Sequence, residues 1–112
     1  MGAVVYNIDA DVGCTIRLPV QVLESDGSLA DLTGYTGQMK VCSSRVGGIL
    51  LATASVTIDI VTAVVTAEIL GGDLEGVTWR TGEFDLKITS GADPDDIEGI
   101  ARGSIRMRPT VT

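Results

Sequence analysis

The chain has 112 residues, 45% apolar and 21% charged, which suits one globular domain and argues against a disordered chain. A net charge of −7 lacks the basic footprint of nucleic-acid binding, and the absence of histidine removes imidazole-based triads, metal sites and proton shuttles. Aromatics are only 4% while glycines number 14, so the core must be aliphatic and the chain rich in strands and turns.

Residues 4–8 read as a first short strand, broken by Asp9-Ala10-Asp11-Val12-Gly13. In residues 15–22, Ile16, Leu18, Val20 and Val22 alternate with Thr15, Arg17, Pro19 and Gln21, the period-two pattern of a strand with one dry face. Pro19 cannot donate to a ladder, which places this strand at an edge or a bulge. Asp26-Gly27 is the strongest hairpin signal in the chain. Residues 29–37 form a polar connection anchored by Leu32 and Tyr35, and residues 38–43 a strand with Met39 and Val41 on one face. Arg45-Val46-Gly47-Gly48 is a turn. Residues 49–54 are apolar and ambiguous, residues 56–60 alternate cleanly, and a break at Val61-Thr62 leads to a strand over 63–69. One helical turn is expected at Asp73-Leu74-Glu75.

The chain closes on a long hairpin. Over residues 79–89, Phe84, Leu86 and Ile88 alternate with Glu83, Asp85 and Lys87; over residues 100–108, Ala101, Gly103, Ile105 and Met107 alternate with Arg102, Ser104, Arg106 and Arg108. The acidic connection 90–99 joins them. Seven or eight short strands with turn signals every 8–12 residues and no βαβ rhythm read as an all-β, antiparallel immunoglobulin-like sandwich, a single domain over 1–112.

Few residues point to chemistry. Asp93, Asp95, Asp96 and Glu98 cluster in the acidic connection without the ligand register of a calcium loop, so they read as a solvated tip. Asp9 and Asp11 form a DxD pair with no phosphate cradle after it, which reads as a turn. Cys14 and Cys42 have no CxxC spacing and no histidine partner. They read as two buried thiols of a reducing compartment, with a mutual disulfide open only if their strands are neighbours. Arg102, Arg106 and Arg108 line the wet face of the last strand. They are either balanced by acids on the facing strand (Glu83, Asp85) or meet an acidic patch on a neighbouring subunit. No metal, cofactor or catalytic group is expected. The N-terminus lacks the features of a signal peptide and no apolar run approaches the ~20 residues of a membrane helix, so a soluble protein made in a cytoplasm and without membrane contact is expected.

Several runs resemble small virion proteins of tailed bacteriophages. They are Val12-Gly13-Cys14-Thr15-Ile16-Arg17-Leu18-Pro19-Val20, Asp26-Gly27, Ala30-Asp31-Leu32-Thr33-Gly34-Tyr35 and Gln38-Met39-Lys40-Val41, then Gly82-Glu83-Phe84-Asp85-Leu86-Lys87-Ile88, Gly103-Ser104-Ile105-Arg106-Met107 and Thr110-Val111-Thr112. They look like the β-sandwich modules of baseplate, tail-fibre and fibre-attachment proteins. The resemblance implies a non-enzymatic structural protein of the virion, made in the host cytoplasm and assembling with other virion proteins and copies of itself as a symmetric homo-oligomer. A capsid decoration protein is the second reading. A carbohydrate- or receptor-binding module, with Trp79 and Tyr35 as stacking residues, is the third. Subunit contacts are expected at Arg102, Arg106, Arg108, Thr110 and Val111.

Overall fold

The computed structural model describes residues 4–44 and 47–109. Part of the turn at Arg45-Val46 and the contact candidates Thr110 and Val111 lie outside the described residues.

Seven strands carry the fold: β1 Val4–Asp11, β2 Ile16–Gln21, β3 Thr36–Cys42, β4 Leu50–Asp59, β5 Val64–Ile69, β6 Thr81–Thr89 and β7 Ile97–Arg108. A single 3₁₀ turn, Gly71–Leu74, lies between β5 and β6, overlapping the expected helical turn. The strands are hydrogen-bonded in the order β1-β7-β6-β3-β4-β5-β2, a mixed sheet nearly closed into a barrel. The period-two residues read from sequence supply the interior: Ile16, Leu18, Val20, Met39, Val41, Val65, Ala67, Ile69, Phe84, Leu86, Ile88, Ile105 and Met107 are all buried in one cluster. Leu74 of the 3₁₀ turn closes one end of that core and Leu32 is buried with the rest. Each long strand places its alternate polar residues outside, which is why the strict alternations of β2, β5 and β6 predicted their strands so closely.

The sheet is not purely antiparallel. β1 pairs with β7 in parallel, from Val4 opposite Ala101 to Asp11 opposite Arg108. Connectivity imposes this direction. β2 is held antiparallel to β5, so it must start at the end of the molecule where β7 finishes. The link from β1 is only residues 12–15, so β1 must run toward that same end. Asp9 and Asp11 therefore belong to the first strand and not to a turn, because the parallel ladder continues through them.

Two more boundaries differ from the sequence reading. Residues 50–59 are one strand, with no break at Ser55. Its first half pairs with β3 and its second half with β5, so β4 bends from one part of the sheet into the other. In the terminal hairpin β6 begins at Thr81 and β7 already at Ile97, where Ile97 pairs with Thr89. The Asp26-Gly27 turn forms, with Gly27 at φ +88°, yet its arms are joined by a single bridge, Leu23 to Leu29. Pro19 sits on β2, which lies at one end of the strand order, as its missing donor demands.

Candidate functional site

The barrel stays open between β1 and β2. The two strands are consecutive but do not pair, and a cleft of about 280 Å³ lies between them, lined by residues 8–11 and 14–17. Among the described residues each strand thus keeps one unpaired edge. On a strand, backbone groups of successive residues point to opposite sides. The Val12 N–H donates to the Arg108 carbonyl at 2.9 Å, which fixes the phase: Tyr6 and Ile8 turn their backbone groups to β7, and Val5, Asn7 and Asp9 turn theirs to the open edge. On β2 the Val22 N–H donates to the Ala63 carbonyl at 2.8 Å, so Arg17, Pro19 and Gln21 face the open edge there.

The two edges differ chemically. At the centre of the β2 edge stands Pro19, which has no N–H to offer, and the edge is flanked by the Arg17–Glu68 ion pair at 2.5 Å. Proline and charge are the ordinary means of keeping an edge from pairing. The β1 edge has no proline, and Val4 and Val5 on it are 49% and 57% exposed.

The arginine row lies on the outward face beside this edge. Arg108 Nε is 3.4 Å from Asp11 Oδ1, and both are substantially exposed. Register places Arg106 beside Asp9 and Arg102 between Val5 and Asp85. The acids near the row thus come from β1 as well as from β6. The sequence reading named only β6, because the parallel β1–β7 pairing is not legible in the strand itself. Next to the row, the Ser104 hydroxyl bonds Asn7 Oδ1 at 3.0 Å.

The remaining candidates are scattered. In the acidic connection the Asp95 N–H donates to Asp93 Oδ1 at 3.1 Å and the Asp96 N–H to the Asp93 carbonyl at 3.0 Å, so Asp93 is used in turning the loop. Among the described residues no three His, Cys, Asp or Glu side chains gather as metal ligands, and no helix is long and apolar enough to cross a membrane. Cys14 and Cys42 are both free thiols. Neither is buried, contrary to the sequence reading: Cys14 is exposed in the β1–β2 link and Cys42 is half-buried at the irregularity between β3 and β4. Trp79 and Tyr35 are both half-buried against the core. They lie at opposite ends of the β3–β6 pair, since Thr36 sits opposite Thr89 and Trp79 precedes Thr81, so they form no common stacking platform.

One end of the molecule holds the charge excess. The loops after β2, β4 and β6 emerge together, as the register of Thr36 with Thr89 and of Gln21 with Val64 requires. They carry Glu24, Asp26, Asp31, Asp59 and the four acids of the 90–99 connection, eight of the 15 acidic residues. The other seven are matched by the eight Lys and Arg. Leu23, Leu29, Ile60, Val61 and Ile97 are exposed at the same end. Two of the carboxylates there shape their own loops. Hydrogen bonds from the Ser28 hydroxyl and then its backbone N–H hold Asp26 below its ordinary 3.8, and those from Thr33, hydroxyl first, do the same for Asp31.

Comparison with known proteins adds no relative: no protein-family model matches the chain, and no curated protein matches it.

Proposed function

We propose that this protein is a non-enzymatic structural component of a tailed-phage virion, working through protein–protein contacts in the tail, baseplate or fibre-attachment region and repeated in copies there. The observation that carries the reading is the open β1 edge, free of proline and with Val4 and Val5 exposed, standing opposite a β2 edge blunted by Pro19. A strand edge left available on one side only is a means of joining subunits. The segment resemblance to virion β-sandwich modules points the same way. We read the sheet as an immunoglobulin-like sandwich, with β1-β7-β6-β3 and the first half of β4 facing the second half of β4 with β5 and β2. The parallel pairing of first and last strands and the passage of β4 between the layers support that reading.

Capsid decoration is the second reading and uses the same edge and the same acidic, apolar end. A carbohydrate-binding role is weakened by the separation of Trp79 from Tyr35. The test is to identify the protein by mass spectrometry in particles purified from an infected culture, and then to locate it by labelling in electron micrographs. Label on the tail supports the first reading and label on the capsid the second. Absence from particles overturns both.

A further inference from the structure

We infer that the β1 edge binds the same edge of a second copy, antiparallel and centred on Asn7. The inference rests on the assembly reading above and names its partner and register.

The backbone phase selects the pairing. Val5, Asn7, Asp9 and Asp11 turn their backbone groups to the open side of β1, but the Asp11 carbonyl already accepts the Cys14 N–H, so Val5, Asn7 and Asp9 are the described residues with both N–H and C=O left to offer there. A two-fold axis through Asn7 sets Asn7 opposite Asn7 of the second copy and Val5 opposite its Asp9. All three residues then pair, with about six main-chain hydrogen bonds across the join, two per bonded pair. Moving the axis to Val5, Tyr6 or Asp9 leaves part of this set unpaired within the described strand, an axis at Ile8 sets Val5 against Asp11, whose carbonyl is already taken, and an axis at Asp9 sets two like charges face to face.

The side chains agree with that register on both faces. Inward, Tyr6 falls opposite Ile8 of the second copy, one half-buried apolar residue beside another. Outward, Arg102 flanks Val5 and Arg106 flanks Asp9 within one chain. In the pair, the row across the join reads Arg102, Val5, then Asp9 and Arg106 of the second copy. Arg102 and that Asp9 stand two strand spacings apart, about 10 Å between Cα atoms, a gap their extended side chains bridge over the short Val5. Each Asp9 is then placed between an arginine of its own chain and one of the other. The two Asp9 residues themselves lie four residues apart along the strands, about 13 Å. The Asn7 side chain keeps the Ser104 hydroxyl on its Oδ1 and has its amide hydrogens left to donate across the axis. Charge complementarity of this kind is self-matching, as a two-fold contact requires. Pro19 leaves the β2 edge unsuited to compete for the same partner.

The experiment uses the full chain in three forms, with mass measured by light scattering. Wild type is expected as a dimer or an even multiple of one. Asn7→Pro removes an N–H that the β1–β7 ladder does not use, and is expected to be monomeric with unchanged circular dichroism. In a Cys14→Ser, Cys42→Ser background, Asn7→Cys is expected to give a covalent dimer on mild oxidation, because bonded antiparallel partners stand about 5.5 Å apart, within disulfide range. Gln21→Cys in that background, on the β2 edge, is expected to give none. An oligomeric wild type whose mass Asn7→Pro leaves unchanged, with no Asn7→Cys cross-link, overturns the edge pairing alone. A monomeric wild type overturns it as well, while the particle assay still decides the virion reading. Should Asn7→Pro fail to fold, the presence or absence of the cross-link decides.

Discussion

Gly103 lies opposite Tyr6 in the parallel β1–β7 pair, and a Cβ built on Gly103 overlaps the Tyr6 carbonyl oxygen. The φ of Gly103 is +156°, which a side chain rarely adopts. Its missing side chain is what lets β1 lie close to β7. Gly103→Ala is therefore expected to cost about 2–4 kcal/mol, from overpacking and backbone strain together. Urea unfolding monitored by circular dichroism reads it. A loss below about 0.5 kcal/mol would mean that β1 can shift to make room.

The Asp9–Arg106 and Asp11–Arg108 neighbours give a second expectation. Arg106→Glu with Arg108→Glu places four acids together at the end of the pair and should destabilise the fold by about 1 kcal/mol, chiefly by loosening β1. Adding Asp9→Arg and Asp11→Arg restores the charge pairing and most of the stability. Hydrogen exchange along residues 5–11 reports the fraying locally. Equal exchange in wild type and the double reversal would show that these neighbours do not hold the strand.

Phe84 is the largest fully buried side chain, and on its strand it stands between Val41 of β3 and Gly103 of β7. Phe84→Ala should cost about 3–5 kcal/mol, and Phe84→Leu markedly less, measured by the same unfolding curves.

Acid should act on the two Asx turns. Asp26 and Asp31 are held below 3.8 in the folded chain by bonds from Ser28 and Thr33. A depressed folded value means a contribution that is complete above the unfolded value of 3.8 and is lost as pH falls through the lower folded one. Asp26→Asn with Asp31→Asn does not titrate. The variant should therefore melt below wild type at neutral pH, and the gap should narrow as pH drops below 3.8. A gap that stays constant with pH, followed by thermal melting, would show that the two carboxylates contribute only as neutral acceptors.

Arg17 and Glu68 form a close pair, but the Arg17 side chain is 67% exposed. Arg17→Gln should change stability by less than about 1 kcal/mol, and added salt should erase the difference. A larger loss would point to a role for Arg17 in covering the cleft between β1 and β2.

The alternations in the sequence determined which residues are inside. Phe84, Leu86 and Ile88, or Ile16, Leu18 and Val20, could be assigned to the dry face from period two alone, because a strand has only two faces. Pro19 announced an edge because its missing donor is a property of one residue. The candidate contacts were legible only as residue types. An arginine row can be seen in the chain; its acidic neighbours Asp9 and Asp11 cannot, since they come from a strand nearly a hundred positions away. The same holds for the bend of β4, where no residue type marks the point at which its partner changes from β3 to β5. What only the tertiary structure decided is the direction of β1 and the gap beside it. Both follow from how a four-residue link and a fixed β2–β5 pairing constrain the first strand, and such long-range closure leaves no local signature in the residues it acts on.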